Sequence, residues 1–390
     1  MLSQSTIDIV KSTAPLIAEA GPSLTAHFYD RMFKHHPELK DVFNITHQET
    51  GSQREALFNA VYGYASNIDN IEVLLPVVEK IAQKHTSFSI TAEQYQIVGT
   101  HLLATIDELM SPGQAVLDAW AEAYGLLANI FINREEEIYQ QTEQQVGGWR
   151  GTREFKVIEK TPESNVITSF VLEPVDGQPV INYQPGQYIG VYLNSDKLEF
   201  QEIRQYSLSD APNGQTYRIS VKREDQGVAS NYLHSHVNVG DSVQLAPPAG
   251  DFFLTTQSNT PIALISAGVG LTPMLSILES IKSTHQAPIH WLHAADNTER
   301  HGFKDRIADL AQTTAHLNQY SWYKESSSNE ADFSGLMDLS QIQDDINWQE
   351  TDFYLCGPVV FMQHVAKQLI ALKVAEAQIH YECFGPHKVL

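Results

Sequence analysis

Hydrophobic residues recur with the period of an α-helix through the first 138 positions. Leu24, Phe28 and Met32 are spaced four residues apart. A longer stripe with the same period comprises Leu117, Trp120, Tyr124, Leu127 and Phe131. Residues with this spacing lie on one face of a helix, and short segments rich in Gly, Pro and Ser separate the stretches. The pattern predicts an all-α domain of residues 1–138.

The pattern changes to alternating apolar and polar residues after a polar segment with paired glycines, QTEQQVGGWR at 141–150. The strand-like segments are FKVIEK, VITSFVLEP, QYIGVYL, RQYSLS, YRISVKR and SVQLAPP. Turn dipeptides such as Asn213-Gly214 separate them, as they do in antiparallel sheets. We predict that residues 150–255 form an antiparallel β-barrel domain.

Apolar strands alternate with helical stretches in the last third of the chain. The strand PIALIS precedes the helical segment TPMLSILESI, and the later strands are APIHWLHAA, TDFYLCGP and QIHYECF. Strands and helices that alternate in this way build a parallel sheet. Residues 259–390 are therefore predicted to form an α/β domain with a parallel sheet, which makes the fold multidomain.

Charge and cysteine content narrow the functional classes. Lys and Arg number 25 against 47 Asp and Glu, a formal charge of 25 − 47 = −22. An acidic chain without a basic block is unsuited to nucleic acid or to anionic membrane surfaces. There is no run of 18 apolar residues, and Cys356 and Cys383 are too few cysteines for a disulfide framework. We expect a cytoplasmic monomer without integral membrane association.

Three short motifs in the second half carry residues suited to nucleotide binding. Residues 268–273, GVGLTP, follow a strand and open a helix, which would present backbone N–H groups to phosphate. Taken alone, that motif is equally consistent with a simple tight turn. Residues 204–207, RQYS, lie on a barrel strand. Residues 354–358, YLCGP, end a strand at the carboxyl edge of the parallel sheet, where ligands bind.

A histidine interrupts an apolar helix face in the first domain. Val78, Ile81, His85 and Phe88 share that face. A histidine there is either a core residue satisfied by hydrogen bonds or a ligand of a metal or cofactor. The stripe of the last helix continues to Glu135. A buried carboxylate needs a partner, and the second N–H of a ligating imidazole is one such partner.

The motifs R-x-Y-S, G-x-G-x-x-P and Y-x-C-G-P, in this order, resemble those of the ferredoxin-NADP reductase family. The resemblance implies FAD on the barrel, with its pyrophosphate at the loop that starts at residue 227, and NADH or NADPH on the α/β domain. The implied flavin residues are Tyr188, Arg204, Gln205, Tyr206, Ser207, Gly227 and Ser230. The implied nucleotide residues are Gly268, Val269, Gly270, Leu271, Thr272, Pro273, Cys356, Gly357 and Pro358. The terminal segment would add Cys383, Phe384, Gly385 and Pro386, with Phe384 over the flavin ring.

The first domain resembles a globin, and the whole chain, through its ending HYECFGPHKVL, resembles the bacterial flavohaemoglobins. The resemblance implies haem b with His85 as the iron ligand and with Tyr95 and Glu135 as the hydrogen-bonding pair of that ligand. Lys84 and Glu382 would lie between flavin and haem. The implied residues on the other side of the haem are Tyr29, Gln53, Leu57 and Phe43.

That family is also called the nitric oxide dioxygenases. The resemblance implies an NAD(P)H-dependent oxidoreductase that converts nitric oxide and O2 into nitrate and so detoxifies nitric oxide. Electrons would pass from NAD(P)H to FAD and then to haem iron, and both prosthetic groups would be non-covalent because the chain has no C-x-x-C-H motif. Three alternatives stay open: a haem-based sensor, an O2-binding storage module, and a general NAD(P)H reductase of ferric or hydroperoxide acceptors.

Overall fold

The apolar stripes of the first part of the chain lie on long α-helices. The structure is a computed structural model that describes residues 2–43, 52–325 and 331–385. Its contacts divide the chain into two compact units. The first unit comprises Met1–Thr152 together with Tyr192–Arg204, so a short segment of the predicted barrel belongs to the same unit as the helices.

The helices of the first unit follow the predicted pattern. They are α1 (Gln4–His35), α2 (Ser52–Ser66), α3 (Leu75–Ser87), α4 (Ala92–Met110) and α5 (Gln114–Glu143). Helix α1 bends at Gly21, where φ is 46° and ψ is −132°. Glycine adopts this conformation readily because it has no Cβ. The helical geometry is therefore interrupted at Gly21 and continues on both sides of it.

The predicted apolar stripes form the core of this unit. Phe28 and Met32 of α1 and Trp120 of α5 are almost fully buried. The indole N–H of Trp120 donates to Oγ1 of Thr13 at 2.8 Å, which ties α5 to α1. Burying aromatic and aliphatic side chains in this way is the main stabilising contribution to such a domain. The all-α fold predicted for this region is confirmed.

By length and composition, α5 is long and apolar enough to cross a membrane. Its residues Trp120, Ala123 and Phe131 are nevertheless buried in the helical unit, and core helices of soluble proteins meet the same criteria. The finding is therefore weak evidence for a span. The expected absence of integral membrane association stays a prediction.

The second unit comprises Arg153–Val191 and Gln205–Leu390 and contains most of two sheets. The strands of the first sheet are β1 (Arg153–Pro162), β2 (Ile167–Pro174), β3 (Tyr188–Leu193), β4 (Glu202–Ser207), β5 (Tyr217–Lys222) and β6 (Ser242–Leu245). Their order is β4-β3-β6-β1-β2-β5. The pairs of β1 with β2, β1 with β6 and β2 with β5 are antiparallel, as the alternating pattern predicts.

The second sheet is parallel and has the order β10-β9-β8-β7-β11-β12. Its strands are β7 (Ile262–Ala267), β8 (Ile289–Ala295), β9 (Leu317–Tyr323), β10 (Phe333–Ser334), β11 (Asp352–Cys356) and β12 (Ile379–Glu382). Successive strands are added toward one edge from β7 to β10 and toward the other edge from β11 to β12, so the strand order reverses between β7 and β11. Ligands of open α/β sheets bind at such a switch point.

The helices of the second unit are α6 (Val228–His236), α7 (Leu271–Ile281), α8 (Lys304–Thr313) and α9 (Val359–Ala371). Helix α7 follows β7 directly and carries buried Met274, Leu275 and Leu278 against the sheet. The multidomain class predicted from the sequence, with an all-α domain, an antiparallel sheet and a parallel sheet, is confirmed. The bounds 1–138, 150–255 and 259–390 stay predictions.

Two histidines are buried side by side in the second unit. The ring centroids of His293 and His301 are 4.4 Å apart. Nδ1 of His293 lies 2.8 Å from Oγ of Ser266, and Nδ1 of His301 lies 2.8 Å from the hydroxyl of Tyr323. Burial, together with the neighbouring Lys304 charge, lowers the pKa of His301 to about 4, and burial lowers the pKa of His293 well below its ordinary value.

These pKa shifts predict that the second unit loses stability in mild acid. Because the folded-state pKa values lie below the unfolded value of about 6.5, the unfolded chain binds the protons first as pH falls. The free energy of unfolding should therefore decline from about pH 6.5 downward, by roughly 1.4 kcal/mol per pH unit for each histidine. Urea unfolding of the wild type and of His301→Gln at pH 7, 6 and 5 measures this, and equal pH dependence in both proteins would contradict the prediction.

Candidate functional site

The interrupting histidine lies near the end of α3 and faces two polar groups. Nδ1 of His85 is 2.7 Å from the hydroxyl of Tyr95 on α4 and 2.9 Å from Oε1 of Glu135 on α5. The Tyr95 hydroxyl also donates to the same Glu135 oxygen. Three helices therefore converge on one imidazole nitrogen, and the structure brings together the three residues that the sequence singled out there.

This geometry determines the tautomer of His85. A carboxylate only accepts hydrogen bonds, so the proton of the neutral ring is held at Nδ1 and Nε2 has a bare lone pair. Within residues 2–43, 52–325 and 331–385, no group forms a hydrogen bond with Nε2. The side chain of His85 is 32% exposed, whereas that of Glu135 is 3% exposed. An oriented imidazole with one unpaired, basic nitrogen fits a ligand of iron better than a satisfied core histidine.

The three consecutive carboxylates on α5 have different surroundings. Glu135 is buried against His85, as the helical stripe predicts. Glu136 is 42% exposed and accepts from Arg150 at 3.0 Å, and Glu137 is 62% exposed and accepts from Arg134 at 2.9 Å. The side-chain directions expected from the period of 3.6 residues therefore agree with the structure. The pairing of Glu136 with Arg150 was not expected.

Tyr95 is a permanent hydrogen-bond donor in this cluster. Its burial, reinforced by the adjacent Glu135 carboxylate, raises the pKa of Tyr95 far above its ordinary value. The phenol therefore keeps its proton throughout the pH range in which proteins are folded. Its aromatic ring stacks on Phe131, with centroids 6.1 Å apart, and Phe131 also lies 5.7 Å from the His85 ring. Packing thus holds the donor in place.

The residues expected on the other side of the haem form an aromatic cluster. Tyr29 is 3% exposed, and its ring centroid lies 5.8 Å from each of Phe33 and Phe43. Leu57 packs against the same core. The side chain of Gln53 lies outside the described residues, and so does its predicted role.

This aromatic cluster and the His85 cluster belong to two neighbouring cores of one helical unit. The apolar side chains of Leu74, Tyr124 and Leu127 pack against both cores. Tyr29, Phe43 and Leu57 therefore lie in one core, and Tyr95 with Phe131 in the other. A large apolar ligand between two such cores would be held by both, which is what a haem requires.

The strand that bears the R-x-Y-S motif carries a buried ion pair. Arg204 contacts the carboxylate of Glu202 and donates to the carbonyl of Ile203 at 2.8 Å. Burial raises the pKa of Glu202, and the charge of Arg204 opposes that shift. Ser207 is 6% exposed, while Gln205 and Tyr206 are half-buried. The guanidinium is thus oriented by its neighbours, as a group that contacts a flavin would need to be.

Two further glycines shape the expected flavin site. A Cβ added to Gly250 would lie 2.8 Å from the ring of Tyr188, so the chain approaches that tyrosine more closely than other residues allow. At the start of α6, a Cβ on Gly227 would lie 2.5 Å from Oγ of Ser230. That hydroxyl accepts from the N–H of Glu224 at 3.1 Å and lies 3.3 Å from the carbonyl of Gly227. The serine therefore shapes the loop at the start of α6, and the first N–H groups of a helix are the kind of donors that the expected pyrophosphate needs.

The two segments expected to bind the nicotinamide nucleotide adjoin each other at the switch point of the parallel sheet. Gly268 has φ of 54°, a left-handed conformation that favours glycine. A Cβ on Gly270 would lie 2.3 Å from the carbonyl oxygen of Cys356 and 2.7 Å from the amide nitrogen of Gly357. The glycine loop therefore presses against the C-G-P segment, which also includes Pro358 at the start of α9. The backbone groups of the two loops that follow β7 and β11 are therefore the groups that this edge of the sheet presents to a ligand.

Several other predicted residues of this edge are buried. Leu271, Thr272 and Pro273 lie inside the domain, and their side chains support the loop, in which Val269 accepts from the hydroxyl of Thr272 at 3.0 Å. Cys356 pairs in register with Glu382 of β12. Burial, and then the charge of Glu382, raise the pKa of the Cys356 thiol well above its ordinary value. The sheet thus holds this thiol in its neutral form.

The last described residues have different degrees of exposure. Cys383 is 6% exposed, whereas Phe384 is 45% exposed and precedes Gly385, with φ of 105°. An exposed aromatic side chain at this edge is available to cover a ligand. Pro386 lies outside the described residues. Lys84, next to His85 in the first unit, and Glu382 in the second keep their expected roles as predictions.

The sequence did not single out Tyr192, which has an unexpected position. Its hydroxyl donates to the carbonyl of Ser87 at 2.9 Å, two residues beyond His85. The alternating pattern of the strand-like segment QYIGVYL indicates only that Tyr192 is an aromatic residue on the outward face of the strand. A period-2 pattern indicates which strand face a residue occupies, but not which distant element that face contacts.

Comparison with known families assigns the three regions separately. The globin family matches residues 26–131, the oxidoreductase FAD-binding domain matches residues 154–254, and the oxidoreductase NAD-binding domain matches residues 264–367.

Two solved structures are similar to this chain. The flavohemoglobin from Malassezia yamatoensis, with bound FAD and heme, aligns with a TM-score of 0.87 at 26% identity, over 98% of this chain and 100% of that chain. The FAD/NAD-binding domain of nitric oxide dioxygenase from Vibrio cholerae aligns with a TM-score of 0.57 at 47% identity, over 60% of this chain and 99% of that chain.

The geometry around His85 predicts different effects for two adjacent carboxylates. Glu135→Gln keeps an acceptor oxygen but removes the charge beside Nδ1, so the imidazole should become a weaker donor to iron. Such changes next to a metal ligand commonly cost about 10- to 100-fold in activity. We expect slower NADH-driven turnover and a lower iron–imidazole stretching frequency in the ferrous protein.

Glu136→Gln is the matched control, because its contacts, an ion pair with Arg150 and a hydrogen bond from Gln140, are exposed and do not involve His85. An exposed pair of this kind contributes about 0–1 kcal/mol to stability, so turnover and the stretching frequency should stay unchanged. Equal effects of the two substitutions would refute the role given to Glu135.

Proposed function

This chain belongs to the flavohaemoglobin family, and from that premise we propose that it is an NAD(P)H-dependent nitric oxide dioxygenase, which converts nitric oxide and O2 into nitrate and thereby removes nitric oxide. The observation that carries the proposal is the convergence of Tyr95 and Glu135 on Nδ1 of His85, in a chain that also carries the two oxidoreductase domains. A storage globin needs no reductase, and a reductase alone needs no oriented histidine. The 47% identity to the reductase part of a nitric oxide dioxygenase supports the same proposal.

The residues that would hold haem are His85, through Nε2, and Phe43 on the opposite side. FAD would lie against Tyr188, Arg204 and Tyr206. When bound, haem would supply a one-electron metal centre for two small gases, and FAD would convert a two-electron hydride donor into single electrons for that centre.

The residues next to His85 control its electron density. The Nδ1–H group of His85 donates a charge-assisted hydrogen bond to Oε1 of Glu135. This hydrogen bond gives the imidazole ring partial anionic character. Tyr95 donates to the same carboxylate oxygen and fixes its direction. The buried carboxylate therefore has two partners, as a charge in a low-dielectric site requires. An electron-rich imidazole strengthens electron donation to whatever metal Nε2 binds.

The aromatic cluster around Tyr29 would form the gas side of the site. Its hydroxyl is the polar group expected to donate to a bound diatomic ligand that carries negative charge. Phe43 and Leu57 give the same cluster an apolar surface that excludes water. Small uncharged gases enter such a pocket more readily than ions do. Gln53 would add a second polar group on this side.

The nicotinamide coenzyme would bind at the switch point of the parallel sheet. Gly268 and Gly270 have no side chains, so a phosphate group could approach the loop backbone at these two positions. The segment that carries Cys356 adjoins this loop, and Cys356 pairs in register with Glu382 of β12. The buried thiol of Cys356 is neutral and so would add no charge beside the coenzyme.

Nitrate yield decides between the dioxygenase and the alternatives. Purified protein with haem and FAD, supplied with nitric oxide, O2 and NADH, should form two nitrate ions per NADH oxidised, because each nitrate requires one electron and NADH supplies two. A sensor or storage protein would form nitrate only once per haem, and a general reductase would oxidise NADH without matching nitrate. Either result would overturn the proposal.

Removal of one hydroxyl tests the gas side of the site. Tyr29→Phe keeps the ring packed against Phe33 and Phe43 but removes the proposed donor. A hydrogen bond to a charged acceptor contributes about 1.5–3 kcal/mol, so O2 should dissociate about 10 to 100 times faster. Consumption of nitric oxide should fall most at low O2. Flash photolysis and a nitric oxide electrode measure the two effects.

Tyr64→Phe is the control, since Tyr64 is a buried tyrosine of the same unit whose hydroxyl donates to the carbonyl of Ala123 at 2.7 Å. That substitution should change stability and leave O2 release unaltered. Reduction of an artificial acceptor at the flavin should be the same in both variants. If O2 release from Tyr29→Phe matched the wild type, the distal role of Tyr29 would be refuted.

A further inference from the structure

A cavity of about 380 Å³ lies beside the carboxylate that supports His85. Its walls come from the turn after α3, the start of α4, the second half of α5 and the segment that follows α5. All of its lining residues belong to the helical unit, so the packing of that unit alone forms the cavity. Volumes of about 300–1,000 Å³ are typical of sites for small molecules.

Glu135 is the most deeply buried residue of the cavity lining, with 3% of its side chain exposed. Its oxygen Oε1 accepts from Nδ1 of His85 and from the hydroxyl of Tyr95. Its other oxygen, Oε2, accepts no hydrogen bond from any group in the described part of the chain. The carboxylate therefore has one oxygen bound to the histidine cluster and one oxygen left for the cavity.

The negative charge of Glu135 also has no positive partner. The two groups that donate to Oε1 are the neutral imidazole of His85 and the phenol of Tyr95. Among the residues that the structure describes, no lysine or arginine forms an ion pair with this carboxylate. Charges buried in proteins are usually paired with an opposite charge. A cation with N–H groups would supply both the missing charge and a donor to Oε2.

The other charged groups of the lining favour the same kind of ligand. Glu136 is neutralised by its ion pair with Arg150, whose guanidinium carbon lies 4.7 Å from the ring centroid of Tyr139. Glu93 is exposed in the first turn of α4 and has no basic partner within the described ranges. A hydrogen bond from its own backbone lowers the pKa of Glu93, so this carboxylate is charged at neutral pH. The lining thus carries two uncompensated negative charges, those of Glu93 and Glu135.

We propose that this cavity is a binding site for a short primary alkylammonium ion. The ammonium group donates to Oε2 of Glu135, and the alkyl chain packs against Ile90 and Ile132, which line the same cavity. A donor at Oε2 withdraws negative charge from the carboxylate, so the hydrogen bond from Nδ1 of His85 becomes weaker. The imidazole is then less electron-rich toward any metal at Nε2. The cavity is therefore an effector site that acts on iron through His85.

Propylammonium chloride is a suitable probe, because a primary amine with a pKa near that of lysine, about 10.4, is protonated at pH 7. Purified protein with haem and FAD is titrated at constant ionic strength in a calorimeter and by resonance Raman spectroscopy of the ferrous state. We expect saturable binding of one ion per chain and a fall of the iron–imidazole stretching frequency with the same dissociation constant. Absence of saturable binding, or binding without a frequency shift, would overturn the proposal.

Tetramethylammonium chloride is the matched control ligand, since it has the same charge but no N–H group. Without a charge-assisted hydrogen bond to Oε2 it should bind about 10- to 100-fold more weakly than propylammonium. At the concentration that saturates the propylammonium site it should leave the stretching frequency unchanged. An equal frequency shift with both ions would mean that charge alone acts on the iron, and the proposal would be wrong.

Two exposed carboxylates of α4 separate the cavity from the overall charge of the protein. Glu93→Gln removes a lining carboxylate and should weaken propylammonium binding by about 2- to 5-fold, the effect of an exposed ion pair. Asp107→Asn makes the same charge change 107 − 93 = 14 residues further along the helix. That distance is about 21 Å, well beyond the screening length of about 8 Å, so affinity should stay unchanged. Equal losses in both variants would refute the assignment to this cavity.

Glu135→Gln tests the acceptor itself. A neutral amide has no charge to pair with the ammonium group, so propylammonium should bind about 10- to 100-fold more weakly. Binding with wild-type affinity would overturn the proposal, and the Glu93 variant supplies an independent test if this protein does not fold. These measurements use neither nitric oxide nor NADH. A protein that binds propylammonium but forms no nitrate would refute the proposed function alone, and one that forms nitrate without binding propylammonium would refute this inference alone.

Discussion

The imidazole of His85 has two nitrogens, and the buried carboxylate of Glu135 occupies one of them. That hydrogen bond directs the proton to Nδ1 and leaves Nε2 as the basic atom. Glu135 is in turn held by Tyr95, whose ring packs on Phe131. Burying a carboxylate among apolar side chains is unfavourable unless it is hydrogen-bonded. The helices of the first unit must therefore pack so that these hydrogen bonds are kept. The functional group and the core of the domain therefore depend on the same contacts.

The sequence predicts this cluster because a helix has a fixed period. An apolar stripe that reaches Phe131 continues to Glu135 and passes over Glu136, and the structure has these two side chains in those orientations. Strand β9 (Leu317–Tyr323) shows where such reasoning stops. Its segment LNQYSWY alternates poorly between apolar and polar residues, since only its first residue and last two are buried. A strand near the edge of a sheet is specified mainly by pairing with its neighbour, which a local pattern does not record.

The sequence predicted those parts of the candidate site that are encoded in short motifs, and it missed those that depend on contacts between distant residues. The glycine loop at residues 268–270 and the C-G-P segment are each recognisable as short motifs, and their approach at Gly270 follows from the order of the parallel strands. Tyr192 carries no such signal. Its hydroxyl contacts a residue more than 100 positions away, and its strand matches the neighbouring strands in composition. Only the tertiary structure brings its hydroxyl to Ser87.

Packing and sequence pattern divide this chain differently, and the difference has a physical cause. The alternating pattern places residues 192–204 in the barrel, because β3 and β4 pair within that sheet. In the structure the same segment belongs to the helical unit, through Tyr192, Phe200 and Gln201. An alternating pattern indicates which side chains share one face of a strand, but it does not record which distant element contacts that face. The left-handed conformation of Ser89 is a local feature of the same unit, and its hydroxyl lies 3.1 Å from that of Tyr192.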